Sequence, residues 1–254
     1  MGSLAYTILQ MKTHFLPKDF IWSPSRINTL WECPRKFYYQ YIAGEKGLEE
    51  RNEPAELGKA VHELIEQYIT KRELNVVSVA EKYDLSSESR IDLLGMVDNI
   101  KLFTDKKLAS LKGVKKVLTE IEVKHRNIRG IVDLLVELSN NHFLIVDHKT
   151  TKKKFHKDTV PSDYLRQILI YSYLVAKSFP EVKYLSTAFF LVRNGETVKV
   201  HIAKPAEEIV SKAEEVLKKT QNLLLQVKDN WPPNPSWRCN FCPYRQSCGA
   251  FVGG

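Results

Sequence analysis

No apolar stretch in these 254 residues approaches the roughly 20 needed to cross a bilayer. The opening MGSLAYTILQMKTHF has no hydrophobic leader core followed by a small-residue cleavage site. With neither feature legible we expect a cytoplasmic protein without a membrane partner. Cysteine is sparse, with four residues in the whole chain, and without a secretory leader four thiols argue for metal ligation rather than a disulfide framework. No internal repeat or low-complexity tract is visible, which excludes a solenoid or a biased tail. What is present is an ordinary globular composition, 43% hydrophobic and 27% charged. The length allows a substantial core without requiring two domains. The charge is unbalanced: 38 Lys and Arg against 30 Asp and Glu leave +8. That excess suits a polyanionic partner, because basic side chains release counterions from phosphates, although a basic protein without such a partner has the same composition.

Along the chain, Ser23-Pro24-Ser25 offers a helix start. Ile27, Leu30, Trp31, Phe37, Tyr38 and Tyr41 recur at helical spacing across Pro34, so one helical segment is expected to present Cys33. Residues 58–70, GKAVHELIEQYIT, form a second amphipathic helix with His62 at the edge of its apolar stripe. Further helices are expected over 75–112, with Ile91, Leu94, Met96, Val97, Ile100 and Phe103 as core candidates. The pattern then becomes alternating: VLTEIEVKH, IVDLLVEL and HFLIVDHKT read as an antiparallel meander. A register in which Leu138 faces Phe143 places Asp133 opposite about position 148, and a twist or bulge would bring it to the face shared by Asp147 and Lys149. A helix over 162–177 follows, with Leu165, Ile168, Leu169, Ser172 and Val175 inward and Gln167 and Tyr171 together on one face. Strands at 184–193 and 197–201 flank an Asn194-Gly195 hairpin. A last helix over 205–227 runs into WPPNPSW and a cysteine cluster.

A histidine, two carboxylates and a lysine are the groups a metal-dependent phosphodiester hydrolase requires, and His62, Asp133, Asp147 and Lys149 supply them in that order. Each has a plainer reading, His62 as a packed histidine and the acids as surface charges. Yet Asp133 and Asp147 sit within apolar strand sequence, where an uncompensated charge costs several kcal/mol. Glu120 and Glu122 on the preceding strand are secondary polar candidates. Lys152, Lys153, Lys154 and Lys157 cluster just after this set, either as a solvated loop or as phosphate contacts. Cys239, Cys242 and Cys248 follow a C-x2-C-x5-C pattern that is one ligand short, and Cys33 would complete a four-thiolate site if the chain ends meet. Spacing alone does not separate zinc from iron and sulfur.

The order of these signals resembles the PD-(D/E)XK nuclease superfamily, and within it the RecB-like branch that includes CRISPR-associated exonucleases. The matching elements are Gly58-Lys59-Ala60-Val61-His62, Gly130-Ile131-Val132-Asp133, Asp147-His148-Lys149 and the pair Gln167 and Tyr171. The resemblance implies an α/β restriction-endonuclease-like core, a central mixed sheet flanked by helices. It implies one nuclease domain over 1–254: an N-terminal segment at 21–57, a core at 58–204 with a helical insertion at 71–115, and a C-terminal helix and cysteine segment at 205–254. Catalytic roles fall on Asp133, Asp147, Lys149, Gln167 and Tyr171. Mn2+ or Mg2+ would be held by His62, Asp133, Asp147 and the main-chain carbonyl of His148. Cys33, Cys239, Cys242 and Cys248 would carry a 4Fe-4S cluster, with zinc as the alternative, stapling the first helix to the tail. Aromatics near Cys33 and Trp237 are expected to pack on that cluster, with stacking on bases as their other use. Lys152, Lys153, Lys154 and Arg166 are candidate DNA contacts. The implied activity is DNA end processing on single-stranded or frayed ends. It would serve CRISPR adaptation with integrase subunits, recombination and repair, or a viral exonuclease; the alternative is a non-catalytic nucleic-acid-binding iron-sulfur module.

Overall fold

A computed structural model describes residues 15–48 and 51–250; the leader reading of residues 1–14 lies outside them. Five strands form one mixed sheet in the order β1 (Val114–His125), β2 (Ile128–Leu138), β3 (His142–Lys149), β4 (Tyr184–Leu191) and β5 (Glu196–Pro205). β1, β2 and β3 are an antiparallel meander. β3 and β4 run parallel, a pairing that requires a crossover, and α6 (Ser162–Ser178) provides it. Helices cover both faces, so β2 is apolar on both sides rather than alternating: Val132, Leu134, Leu135 and Val136 are all fully buried. On one face Val132, Leu135, Phe143, Ile145 and Phe189 pack against α1 (Pro24–Glu32), α6 and α7 (Ala206–Val227). On the other, Leu134, Val136, Val146 and Phe190 meet α3 (Glu53–Lys71), α4 (Val76–Lys82) and α5 (Ser87–Leu102). No helix among the described residues is long and apolar enough to cross a membrane.

Five local expectations are corrected. The segment around Cys33 is not one helix: α1 ends at Glu32, Cys33 is extended (φ −159°, ψ 109°), and α2 (Pro34–Tyr38) restarts behind it. Proline disfavours helical geometry in the residue before it, so the break falls on the cysteine. In the sheet, Leu138 faces His142 rather than Phe143. A 3-10 turn at Ser139–Asn141, with Asn140 at φ 60°, shortens the connection by one residue. On α5 the buried stripe is Leu93, Met96 and Ile100, continued by Phe103, while Ile91 and Leu94 are 71% and 59% exposed and Val97 is half-buried. That helix carries apolar residues on two stripes, so periodicity alone did not choose between them. Leu165 on α6 is likewise exposed. Between β4 and β5 the two-residue hairpin is replaced by a 3-10 turn, Val192–Asn194, closed by Gly195 at φ 65°. Asn99 Nδ2 donates to the carbonyls of Val192 and Arg193, holding this connection down on α5.

Candidate active site

His62 reaches the sheet because α3 is docked by its neighbours. Asn52 caps the helix by accepting the Ala55 N–H at 3.3 Å, and Leu57, Ala60, Val61, Leu64 and Ile65 bury its inner stripe. His62 at the margin of that stripe faces β1, with Nδ1 3.3 Å from Glu120 Oε1 and 3.6 Å from Asp133 Oδ1. Asp133 sits where β2 loses its alternation, since Val132 belongs to the α6-side core and Leu134 to the α3-side core. On the adjacent strand Glu120 has φ 47°, a strained value for a residue with a Cβ. One step beyond the last hydrogen-bonded pair, Leu134 with Val146, the register sets Asp133 opposite Asp147.

Asp133 is buried and its Oδ2 accepts the backbone N–H of His148 at 2.7 Å. Asp147 is 1% exposed and forms an ion pair with Lys149, 2.7 Å from Nζ to Oδ2. Its Oδ1 has no hydrogen-bond partner, an orphan acceptor that calls for a cation. Lys149 Nζ donates to Gln167 Oε1 at 2.8 Å, and Gln167 Nε2 donates to the Tyr171 hydroxyl at 3.1 Å. The Tyr164 ring lies 4.6 Å from the same ammonium. Thus α6 holds the lysine from one side while β3 carries it from the other.

Gly130 has a packing reason in this arrangement. A Cβ there would stand 2.8 Å from Tyr171 Cε1, so the bare backbone lets the tyrosine ring seat against β2. At Gly58 the nearest atom to such a Cβ is Thr150 Oγ1 at 3.8 Å, an ordinary contact.

The titrations follow from burial among charges. Burial opposes a charge on His62, but the carboxylates of Asp133, Glu120 and Asp147 outweigh it and raise its pKa to about 9. Burial and then the Asp147 charge push Asp133 up to about 7, against the pull of His62. Lys149 is also desolvated, yet Asp147 more than compensates and holds its pKa above the ordinary value. Tyr171 is raised by burial and by both aspartates, so its hydroxyl stays neutral. His148 is held well below the usual imidazole range by burial, then by the His62 and Lys149 charges.

His62, Asp133 and the His148 ring form a set of possible ligand atoms all within 4.8 Å of one another. Asp147 is not part of that set, although its charge is felt by both His62 and Asp133. The imidazole of His148 was not anticipated; sequence reading gave it only a main-chain role. Both its ring nitrogens are buried without partners, and its ring stands edge-on to His62 at 5.6 Å. A histidine at the middle position of Asp147-His148-Lys149 was the available signal. The donors fit a divalent cation of the Mg2+ or Mn2+ type: buried carboxylate oxygens, one of them orphaned, with imidazole nitrogen beside them. A groove of about 1050 Å³ reaches this set at His62, and Ser25, Gly58, Glu120 and Gln167 are among its other lining residues.

Lys152, Lys153 and Lys154 are exposed and are not among the groove's lining residues; Lys154 pairs with Glu196 at 3.1 Å. Lys157 is exposed on the short turn Lys157–Thr159. Arg166 instead turns toward α1, its Nε 2.9 Å from Asn28 Oδ1 and its guanidinium 5.0 Å from the Trp31 ring. Glu122 is exposed, leaving Glu120 as the only one of the two glutamates at the site.

The segments 32–48 and 231–248 meet. Arg35 Nε donates to the Trp231 carbonyl at 2.7 Å, Asn234 Nδ2 to that of Glu32 at 2.8 Å, and the Leu48 N–H to that of Pro243 at 2.7 Å. Cys33, Cys239, Cys242 and Cys248 line one pocket. No three of these sulfurs lie within 4.8 Å of one another. Cys33 and Cys239 accept backbone N–H groups from Asn234 and Ser236, each at 3.4 Å. Among the aromatics, Phe37 is buried and stacks between Trp22 and Trp231, whereas Trp237 stays outside.

Comparison with known proteins bears on this arrangement. The family described as the PD-(D/E)XK nuclease superfamily matches residues 21–249. The crystal structure of a Eubacterium rectale protein named "putative exonuclease" superimposes with a TM-score of 0.56 at 11% identity, covering 100% of this chain and 97% of that one. The crystal structure of SSO0001 gives a TM-score of 0.44 at 14% identity, over 98% of this chain and 96% of the other. No curated protein matches the sequence.

Proposed function

The chain belongs to the PD-(D/E)XK nuclease superfamily, and from that premise we propose that it is a divalent-metal-dependent deoxyribonuclease trimming single-stranded or frayed DNA ends. The observation that carries this reading is the chain of contacts from Asp147 through Lys149 and Gln167 to Tyr171, set beside His62 and Asp133. Its members have little packing value as buried charges and a clear one as a hydrolytic centre.

Asp133, Asp147 and His62 are assigned as ligands, together with the main chain of His148. A bound Mg2+ or Mn2+ would supply an acidified water and neutralise charge gathering on the phosphate. Lys149 works as an ammonium. Its raised pKa leaves no free lone pair near neutrality, so it orients the water and the phosphate oxygen rather than taking the first proton. Gln167 fixes the lysine's position by accepting from it, and Tyr171 fixes Gln167 in turn. The low pKa of His148 keeps its ring neutral, which avoids adding a third cation beside His62 and Lys149.

For the cysteines we infer a 4Fe-4S cluster in a structural role. All four cysteines line one pocket, and the sulfurs of Cys33 and Cys239 accept backbone N–H groups. A tetrahedral zinc with bonds of about 2.3 Å is the alternative occupant, and the metal content of anaerobically purified protein, iron with sulfide against one zinc, separates the two. The domain is read as one unit whose two ends are stapled by that cluster. CRISPR adaptation with integrase subunits and recombination or repair both use such an end-trimming activity, and co-purification with integrase subunits separates them.

Digestion of 5′- and 3′-labelled single-stranded and duplex DNA with Mg2+ or Mn2+ tests the central reading. Progressive shortening from one end is expected, abolished by chelator. DNA left intact across both metals and all end structures would reduce the chain to a binding module.

A further inference from the structure

We propose that Trp237 and Phe241 form a stacking platform for the bases of a single strand whose scissile end lies in the carboxylate groove, an inference that rests on the nuclease reading for the identity of its ligand. The two rings are 71% and 75% exposed, on one short 3-10 turn, Trp237–Phe241. Other large aromatics around the cysteines are taken into the core: Phe37 is fully buried, Tyr39 and Tyr244 are nearly so, and Trp31 donates its indole N–H to Thr220 at 2.9 Å. Two neighbouring aromatics left in water cost hydration free energy, and such a patch marks a contact surface.

The turn is built to hold the rings in place. Ser236 Oγ accepts the Arg238 N–H, the Ser236 N–H points at the Cys239 sulfur, and the Cys242 N–H closes on the Cys239 carbonyl. The ring centroids stand 6.3 Å apart at 76°, with the Arg238 guanidinium 5.5 Å from the indole. A rigid aromatic presented with a guanidinium is the combination that stacks on nucleobases independently of their sequence.

Position selects the occupant. Trp237 and Arg238 border a pocket of about 270 Å³ together with Asn28, Trp31 and Arg166. Arg166 is next in sequence to Gln167, and Asn28 lies one turn from Ser25; Gln167 and Ser25 both line the catalytic groove. The groove and this pocket are therefore bordered by neighbouring residues on α1 and on α6, although α3 supplies most of the groove's lining. Glu32 and Asp163 stand 3.6 and 3.7 Å from Arg238, so this stretch is close to neutral. It suits base faces better than a row of phosphates, and a duplex, with its bases stacked inward, could not use it.

The test is the full-length, metal- and cluster-loaded protein carrying Trp237→Ala and Phe241→Ala together, with Trp237→Tyr as the conservative partner. Binding of fluorescein-labelled oligo-dT is read by anisotropy in Ca2+, and hydrolysis of bis(p-nitrophenyl) phosphate in Mn2+ reports the chemistry on a substrate too small to reach the platform. The expected result is at least ~10-fold weaker dT binding in the double variant, near-normal binding in Trp237→Tyr, unchanged duplex binding and unchanged small-substrate turnover. Unaltered dT affinity in a double variant with wild-type visible absorbance and melting would overturn the platform, whatever the nuclease assay gives. So would a concentration-dependent dimer that the double variant loses, because the rings would then face a second copy of the chain. If the wild type turns over neither small substrate nor DNA, the nuclease reading fails, and the dT comparison still decides the platform.

Discussion

Single residues carry the site's chemistry through the company they keep. Lys149 is the clearest case, because its ammonium is committed at once to Asp147 and to Gln167. Lys149→Ala removes the cation proposed to meet the phosphate and is expected to lower turnover by roughly 10²–10³-fold, with the circular dichroism of a folded protein but a lower Tm, because Asp147 loses its ion-pair partner. A variant cutting DNA at the normal rate would remove Lys149 from the mechanism. The glycines allow a paired comparison. Gly130→Ala puts a methyl group 2.8 Å from the Tyr171 ring and should cost about 1–3 kcal/mol as overpacking, along with activity. Gly58→Ala meets nothing closer than 3.8 Å and should gain up to about 1 kcal/mol in helix propensity, read from denaturant midpoints. The pH response also belongs here. His62 has a folded pKa of about 9 against an ordinary 6.5; its contribution is complete below 6.5 and is lost as the pH rises through 9. Asp133, raised to about 7, adds a penalty as it ionises between its ordinary value and 7. Metal-stripped protein should therefore melt lower at pH 9 than at pH 6.5. Both groups must shed protons to bind a cation, so the increase in Tm on adding Mn2+ should grow over the same interval. A metal increment that shrinks with pH would contradict the ligand assignment.

At the scale of elements, the helix carrying Gln167 and Tyr171 and the three-strand meander were legible because long apolar runs are bounded by turn residues, and in β2 and β3 the buried acids interrupt those runs. What was not legible had competing signals. The α5 sequence holds two apolar stripes, and only the packing of Met96, Ile100 and Phe103 under Phe190 selects one. The one-residue register error came from the turn at Ser139–Asn141, where asparagines adopt left-handed geometry that glycine usually marks. The convergence of Asp133 on Asp147 was visible as motif order but not as geometry, since it depends on lost alternation at Val132 and Leu134. Pro34 was present as a helix breaker, and the pattern of aromatics around it masked the break. The role of the His148 ring was hidden for another reason: in a strand its side chain belongs to the face opposite Asp147 and Lys149, and only α3 crossing that face brings His62 to meet it.

Over the whole molecule, the groove is bounded by parts distant in sequence, and α1 is the piece that joins it to the cysteines. Ser25 lines the groove and Asn28 the neighbouring pocket, while the end of the same helix delivers Cys33 to the tail. Direct hydrogen bonds from Arg35 and Asn234, together with Tyr39 to the Ser247 carbonyl at 3.2 Å, already tie the ends together. A cluster bound by four thiolates would add its binding free energy to that closure. Cys33→Ser removes one ligand without adding bulk. Its expected effects are loss of brown colour, faster proteolysis within 232–250, and a lower Tm at about 2–4 °C per kcal/mol for a chain of this size. The sheet and its aspartates are built independently of the tail, so turnover at saturating DNA should fall less than the apparent affinity for single strands. A Cys33→Ser protein that keeps its colour, protease resistance and KM would mean that Cys33 is no ligand and that the ends are held by the polar contacts alone.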